Sequence, residues 1–140
     1  MAINRIYPSE GVAVVVLTSD DSSSSAFIHI ADRIAYLVVP PTKADAQARA
    51  LFAEVQQNRL DRSQVSPDFN TYFDTTMAKS YAESLGALGE PDSFDLRNED
   101  ESDGLTTRVY DVSAGGRRLK VVEQLLADGR VESFEVHAAE

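Results

Sequence analysis

The chain has no cysteine and no tryptophan, and only two histidines, His29 and His137, among its 140 residues. Without cysteine there is no disulfide, no thiol nucleophile and no thiolate metal ligand. Two histidines are too few for a histidine-rich metal site, so no metal and no cofactor is expected. Cations are also scarce: 13 Lys and Arg stand against 23 Asp and Glu, for a net charge of −10. That sign repels nucleic acid and anionic membrane surfaces, which leaves both out as partners. No apolar run reaches the ~20 residues that a membrane-spanning helix needs. The short run Val12–Leu17 is preceded by Glu10 and followed by Asp20 and Asp21, with no small-residue cleavage site, so it does not read as a secretory leader. As written, the chain is expected to stay in the cytoplasm.

What is present suits a soluble α+β domain with an attached segment. The apolar fraction of 43% and the charged fraction of 26% are ordinary for a globule, and the length is enough to bury a core. Gly11 to Thr18, GVAVVVLT, is a continuous β-branched run, the pattern of a strand buried on both faces. Such a strand needs a neighbour, since a bare edge is a template for pairing. Asp21–Ser25 is rich in helix-capping types, and Phe27, Ile30, Ala31, Ile34, Leu37 and Val38 then recur at helical steps. Pro40-Pro41 ends that helix and separates residues 1–41 from 42–140. A second helix is expected from Lys43 to about Asn58, with Ala44, Ala48, Leu51, Phe52 and Val55 as its stripe. Ser66-Pro67-Asp68 starts a third, in which Phe69, Tyr72 and Phe73 share a face. Asp74 and Thr75 can cap a further section carrying Met77, Tyr81, Leu85 and Leu88, which stops at Gly89 and Pro91.

From Ser93 the period falls to two. Strands are expected at Phe94–Leu96, Leu105–Val112, Leu119–Leu126 and Val131–Val136, with turns at Gly115-Gly116 and Asp128-Gly129. Strands so closely spaced form an antiparallel meander, and helices first with strands last give an α+β fold. The acidic run Asn98–Asp103 reads as a solvated loop or strand end, and it lacks EF-hand spacing. The expected architecture is a curved sheet wrapped around the helix over Tyr72–Leu88, with an extra N-terminal strand and helix.

No catalytic motif stands out, so no catalytic residue is assigned. Gly-x-Ser-x-Gly, Ser-x-x-Lys and Tyr-x-Asn are all missing. The glycine- and arginine-bearing Ser113–Arg118 joins two strands and opens no helix, which excludes a phosphate loop. Small cone-shaped α+β folds do hold pockets between helix and sheet. The residues that could line one are Tyr72, Tyr81, Tyr110, Glu123 and Glu132. Glu123 shares a strand face with Leu119, Val121 and Leu125, and an apolar setting would raise its pKa. The opposite face, Val122, Gln124 and Leu126, is almost as apolar, so its direction stays open; a rim carboxylate paired with Lys120 or an arginine is the plainer reading. The tyrosines read most simply as core residues with a hydrogen-bonded tip. His137, at the end of the last strand, is a further acid–base candidate but reads more simply as solvent-exposed.

Two segments carry a family resemblance. Tyr7–Thr18, YPSEGVAVVVLT, with Ile30–Leu37, IADRIAYL, resembles the last strand and last helix of serine hydrolases related to class C β-lactamases and D-Ala-D-Ala carboxypeptidases. Leu60–Ser63, Phe69–Phe73, Ser84–Pro91 and Asp128–Phe134 resemble a cystatin-like or nuclear-transport-factor-2-like extension that follows such hydrolase domains in some bacterial proteins. The resemblance implies a non-catalytic accessory module, because the hydrolase catalytic residues have no counterpart in this sequence. A longer hydrolase parent could be exported. It also implies that the Val12–Leu17 strand is without its sheet, so that it either pairs with a second copy, giving a homodimer or oligomer through that strand, or adds to the edge of the C-terminal sheet. The alternative is a small pocket protein, binding or isomerising a small molecule with a carboxylate or tyrosine in the cone.

Overall fold

The computed structural model describes residues 2–19 and 24–139, and its backbone falls into two compact units, residues 1–42 and 43–140. In the first unit β1 (Ala2–Tyr7) and β2 (Val12–Leu17) form an antiparallel hairpin, followed by α1 (Ser24–Val38). β1 was not expected, because its mixed composition hides its alternation, and it gives the Val12–Leu17 strand the neighbour it was expected to lack. Ile3, Arg5 and Tyr7 face α1 and are half-buried, whereas Ala2, Asn4 and Ile6 point away. The capping residues expected within Asp21–Ser25 lie outside what is described, apart from the helical backbone at Ser24 and Ser25.

Two expectations for this unit are corrected. The Val12–Leu17 strand is not buried on both faces. Val14 is buried, with Val12 and Val16 packed beside it, but Val15 and Leu17 are 58% and 76% exposed. The strand has one helix to cover one face, so alternation wins over the uniform apolar run. The α1 stripe is also borne out only in part: Phe27 and Ala31 are buried as expected, and the other four residues are not. Ala31 and Ala35 bury against the hairpin together with Val39, while Ile30, Ile34, Leu37 and Val38 remain exposed. Small residues let the helix approach the hairpin closely, and the longer aliphatics are left on its outer side. Arg5 and Asp32 close the hairpin–helix contact through a 2.6 Å ion pair.

In the second unit α2 (Lys43–Gln56) precedes a 3-10 turn (Arg62–Gln64), α3 (Pro67–Tyr72) and α4 (Thr75–Gly86). A four-stranded antiparallel sheet follows in the order β3 (Ser93–Ser102), β4 (Leu105–Ala114), β5 (Arg117–Leu126) and β6 (Val131–Ala138). The meander and its turns are as expected. The helix that lies on the sheet is α2, rather than the one over Tyr72–Leu88. Its Ala48, Leu51, Phe52 and Val55 are all buried. Phe52 meets Phe94 edge-on with ring centroids 5.8 Å apart, and Phe94 meets Tyr110 at 5.0 Å. Helix α4 packs against α2, where the Gln56 side-chain amide donates to the Leu85 and Gly89 carbonyls.

The stretch Ser66–Gly86 is broken in two at Phe73, because Asp74 takes the cap of a new helix and accepts from the Met77 N–H at 2.9 Å. Ser66 caps α3 by accepting from the Phe69 N–H, and its own N–H donates to the Val131 carbonyl at 2.8 Å. Val65 forms a parallel bridge with Val131. The start of α3 is thereby tied to the first residue of β6, the outermost strand. Among the described residues no helix is long and apolar enough to cross a membrane.

Candidate functional site

A cleft of about 510 Å3 opens between α3, the first turns of α4, and β6. Its apolar floor is made by Phe69, Phe73 and Phe134, all buried. Phe69 and Phe73 stack with centroids 5.3 Å apart, and Tyr81 meets Phe73 edge-on at the same distance. Tyr72 and Met77 complete the aromatic and apolar wall. The polar part of the lining is acidic: Asp68, Glu132 and Glu135, with Ser133 and His137. No lysine or arginine is among the lining residues. His137 shares a 2.9 Å contact between its Nε2 and Glu135 Oε2. The Tyr81 phenol is pushed above its ordinary pKa, first by burial and then by Tyr72 and Glu135.

Glu132 stands at a bulge in β6. On β5 and β6, Gln124 pairs with Ser133 and Leu125 with Val131, so Glu132 has no cross-strand partner. A bulge adds one residue to a strand and redirects its side chain, a device common at sheet edges and beside binding sites. The edge position supplies the rest: the backbone pairing beside β6 is confined to Val65 and Ser66 against Val131, and the cleft opens alongside the rest of the strand.

The five pocket candidates thus divide. Tyr72, Tyr81 and Glu132 come together in the cleft. Tyr72 was expected to share a buried face with Phe69 and Phe73, but it is 69% exposed, because α3 ends there and turns its last residue outward. Tyr110 and Glu123 do not line the cleft. Tyr110 is fully buried under α2, with its hydroxyl 3.5 Å from the Ala44 carbonyl, and burial raises its pKa. Asp68, Glu135, Ser133 and Met77 were not singled out from the sequence, and only the pairing of α3 with β6 reveals them.

Glu123 forms a second polar cluster in the interior. Register across the sheet places Glu99, Arg108 and Glu123 side by side on β3, β4 and β5. Arg108 Nε donates to Glu99 at 2.6 Å, whereas its Nη1 lies 3.7 Å from Glu123 Oε2. Glu123 is wholly buried, and neither carboxylate oxygen has a hydrogen-bond partner among the described residues. Burial raises its pKa to about 7, with the nearby Arg108 opposing that rise. The plainer expectation, a rim carboxylate, is therefore overturned: Glu123 faces inward, although an arginine does sit beside it.

Among the described residues no group of three or more His, Asp and Glu side chains is arranged to hold a metal ion. No protein-family model, no curated protein and no solved structure matches the chain.

Proposed function

We propose that the chain is a non-catalytic accessory module that works by assembly, and that it dimerises with a second copy through the outward face of the β1–β2 hairpin. The observation that carries this reading is the composition of that face. Ala2, Asn4, Ile6, Ala13, Val15 and Leu17 form it, with no charged side chain, in a chain of net charge −10. Ile6 is 63% exposed. Two copies of so acidic a protein repel at long range, and a charge-free patch is where they meet at least cost. Burying it against itself is an isologous contact, as in the commonest closed oligomer. The resemblance to the end of a serine hydrolase domain and its extension points the same way, toward a module that supports a neighbour rather than one that reacts. Light scattering on the size-separated full chain tests the proposal. The expected mass is twice the 15.3 kDa of one chain. A stable monomer with fast amide exchange over residues 12–18 overturns it.

The α3–α4–β6 cleft favours a second reading, a small-molecule-binding role for residues 43–140. Tyr72, Tyr81 and Glu132 converge on a cavity of about 510 Å3, a volume typical of ligand sites. An isomerase- or cyclase-type pocket enzyme is the catalytic form of that reading, with Glu132 as its carboxylate. Replacement of Glu132 by Gln, assayed by ligand-detected NMR, separates a role in binding from a role in fold alone.

A further inference from the structure

We propose that the α3–α4–β6 cleft binds an organic ammonium group, with its alkyl part on the phenylalanine floor and its charge between the tyrosines and the carboxylates. This deepens the second reading above and is independent of dimerisation.

Three observations lead to it. The charged lining residues Asp68, Glu132 and Glu135 are all acids, and the lone imidazole, His137, is already bonded to Glu135. Arg62, in the turn before α3, stands behind the floor: it lies over the Phe73 ring at 5.9 Å, donates to the Phe73 carbonyl at 2.6 Å and to Asn70 Oδ1 at 2.9 Å, and is not a lining residue. An anionic ligand would therefore face three lining carboxylates and no lining lysine or arginine. Next, the walls carry aromatic rings, of which Tyr72 is largely exposed and Tyr81 half-buried. A cation within about 6 Å of a tyrosine face is attracted by the ring quadrupole, and more strongly where water is excluded. Finally, Glu132 is the residue without a cross-strand partner at the β6 bulge, and it lines the cleft beside Tyr72 and Tyr81. An apolar floor, aromatic walls and a carboxylate beside them together match an alkylammonium better than a bare metal ion, which would need several carboxylates in one coordination shell.

The same chemistry is available from a free amine or from a lysine side chain of another protein. Isothermal titration of the full chain with choline, spermidine and N-acetyl-lysine methyl ester distinguishes them. The neutral isostere of choline, 3,3-dimethylbutan-1-ol, serves as the control for charge. The expected result is saturable binding of at least one ammonium probe, about tenfold or more weakened in the isostere and weakened by added salt. Preference for the lysine ester identifies a protein side chain as the source, and preference for choline or spermidine a free amine. Tyr72→Ala and Glu132→Gln each lower the affinity about 3- to 10-fold, whereas Tyr72→Phe keeps it, since the ring and not the hydroxyl is used. Equal binding of the neutral isostere overturns the ammonium assignment while leaving the cleft a ligand site. Absence of binding for every probe, or unchanged affinity in both Tyr72→Ala and Glu132→Gln, overturns the cleft as a site as well.

Discussion

Glu123 is the residue whose setting departs most from its chemistry. A carboxyl without hydrogen bonds inside a sheet–helix core prefers to stay protonated, and its pKa is raised from 4.5 to about 7. The unfolded chain releases that proton near 4.5, while the folded chain keeps it until about 7. Between those values the folded state holds more protons, so stability from this group is full below about 4.5 and is lost as pH rises through 7. The shift corresponds to roughly 3 kcal/mol at most. Glu123→Gln removes the titration. Compared with the wild type, the variant should gain up to about 3 kcal/mol in chemical-denaturation stability between pH 5 and pH 8. A difference between the two proteins that is flat with pH would contradict this. The direction of Glu123 was not legible from β5, because both faces of that strand are apolar. It follows from register, which sets Arg108 beside it and Tyr110 beside Val121.

At the scale of elements, β4 and β5 were readable because Gly115-Gly116 marks their turn. That turn does more than reverse the chain. Gly115 has φ +56°, and a Cβ there would lie 2.9 Å from the Leu88 carbonyl oxygen just beyond α4. Gly115→Ala should destabilise the fold by about 1–3 kcal/mol in thermal or urea unfolding, through both left-handed strain and the clash. Ser66 carries a comparable load at the other end of the helical layer. It is buried, caps α3 and joins it to β6. Ser66→Ala should cost about 1–2 kcal/mol in the same measurement. Ser66→Asp should retain more of the stability than Ala if the cap is the main term. The bulge at Glu132 had no glycine to announce it, and the break at Phe73 was visible only as the capping pair Asp74 and Thr75. The strand β1 was missed because Asn4 and Arg5 interrupt its apolar residues, and its pairing with β2 depends on a partner that a one-strand pattern does not contain.

For the whole molecule, the α+β class follows from helical periods before residue 90 and strand periods after it. The packing order does not follow in the same way. The stretch Ser66–Gly86 has the densest aromatic residues, yet α2 covers the sheet. The reason is shape: Ala48 and Leu51 on α2 present a narrow, fully buried stripe, while the aromatics of α3 and α4 spread around a break and wall an open cleft. In the first unit, a helix that buries its alanines leaves Ile30, Ile34, Leu37 and Val38 outside, and a hairpin covered on one side leaves Val15 and Leu17 outside. These exposed aliphatics are the surface on which the proposed assembly rests.

Sedimentation equilibrium of the wild type and of Val15→Glu tests the assembly account most directly. Val15 is 58% exposed, so the substitution leaves the fold of one chain intact, as circular dichroism should confirm. It places a charge on the face proposed to join the copies. The account predicts a wild-type mass of twice 15.3 kDa and a Val15→Glu mass of 15.3 kDa at the same concentration. A monomeric wild type, or a folded Val15→Glu that remains a dimer, would contradict it.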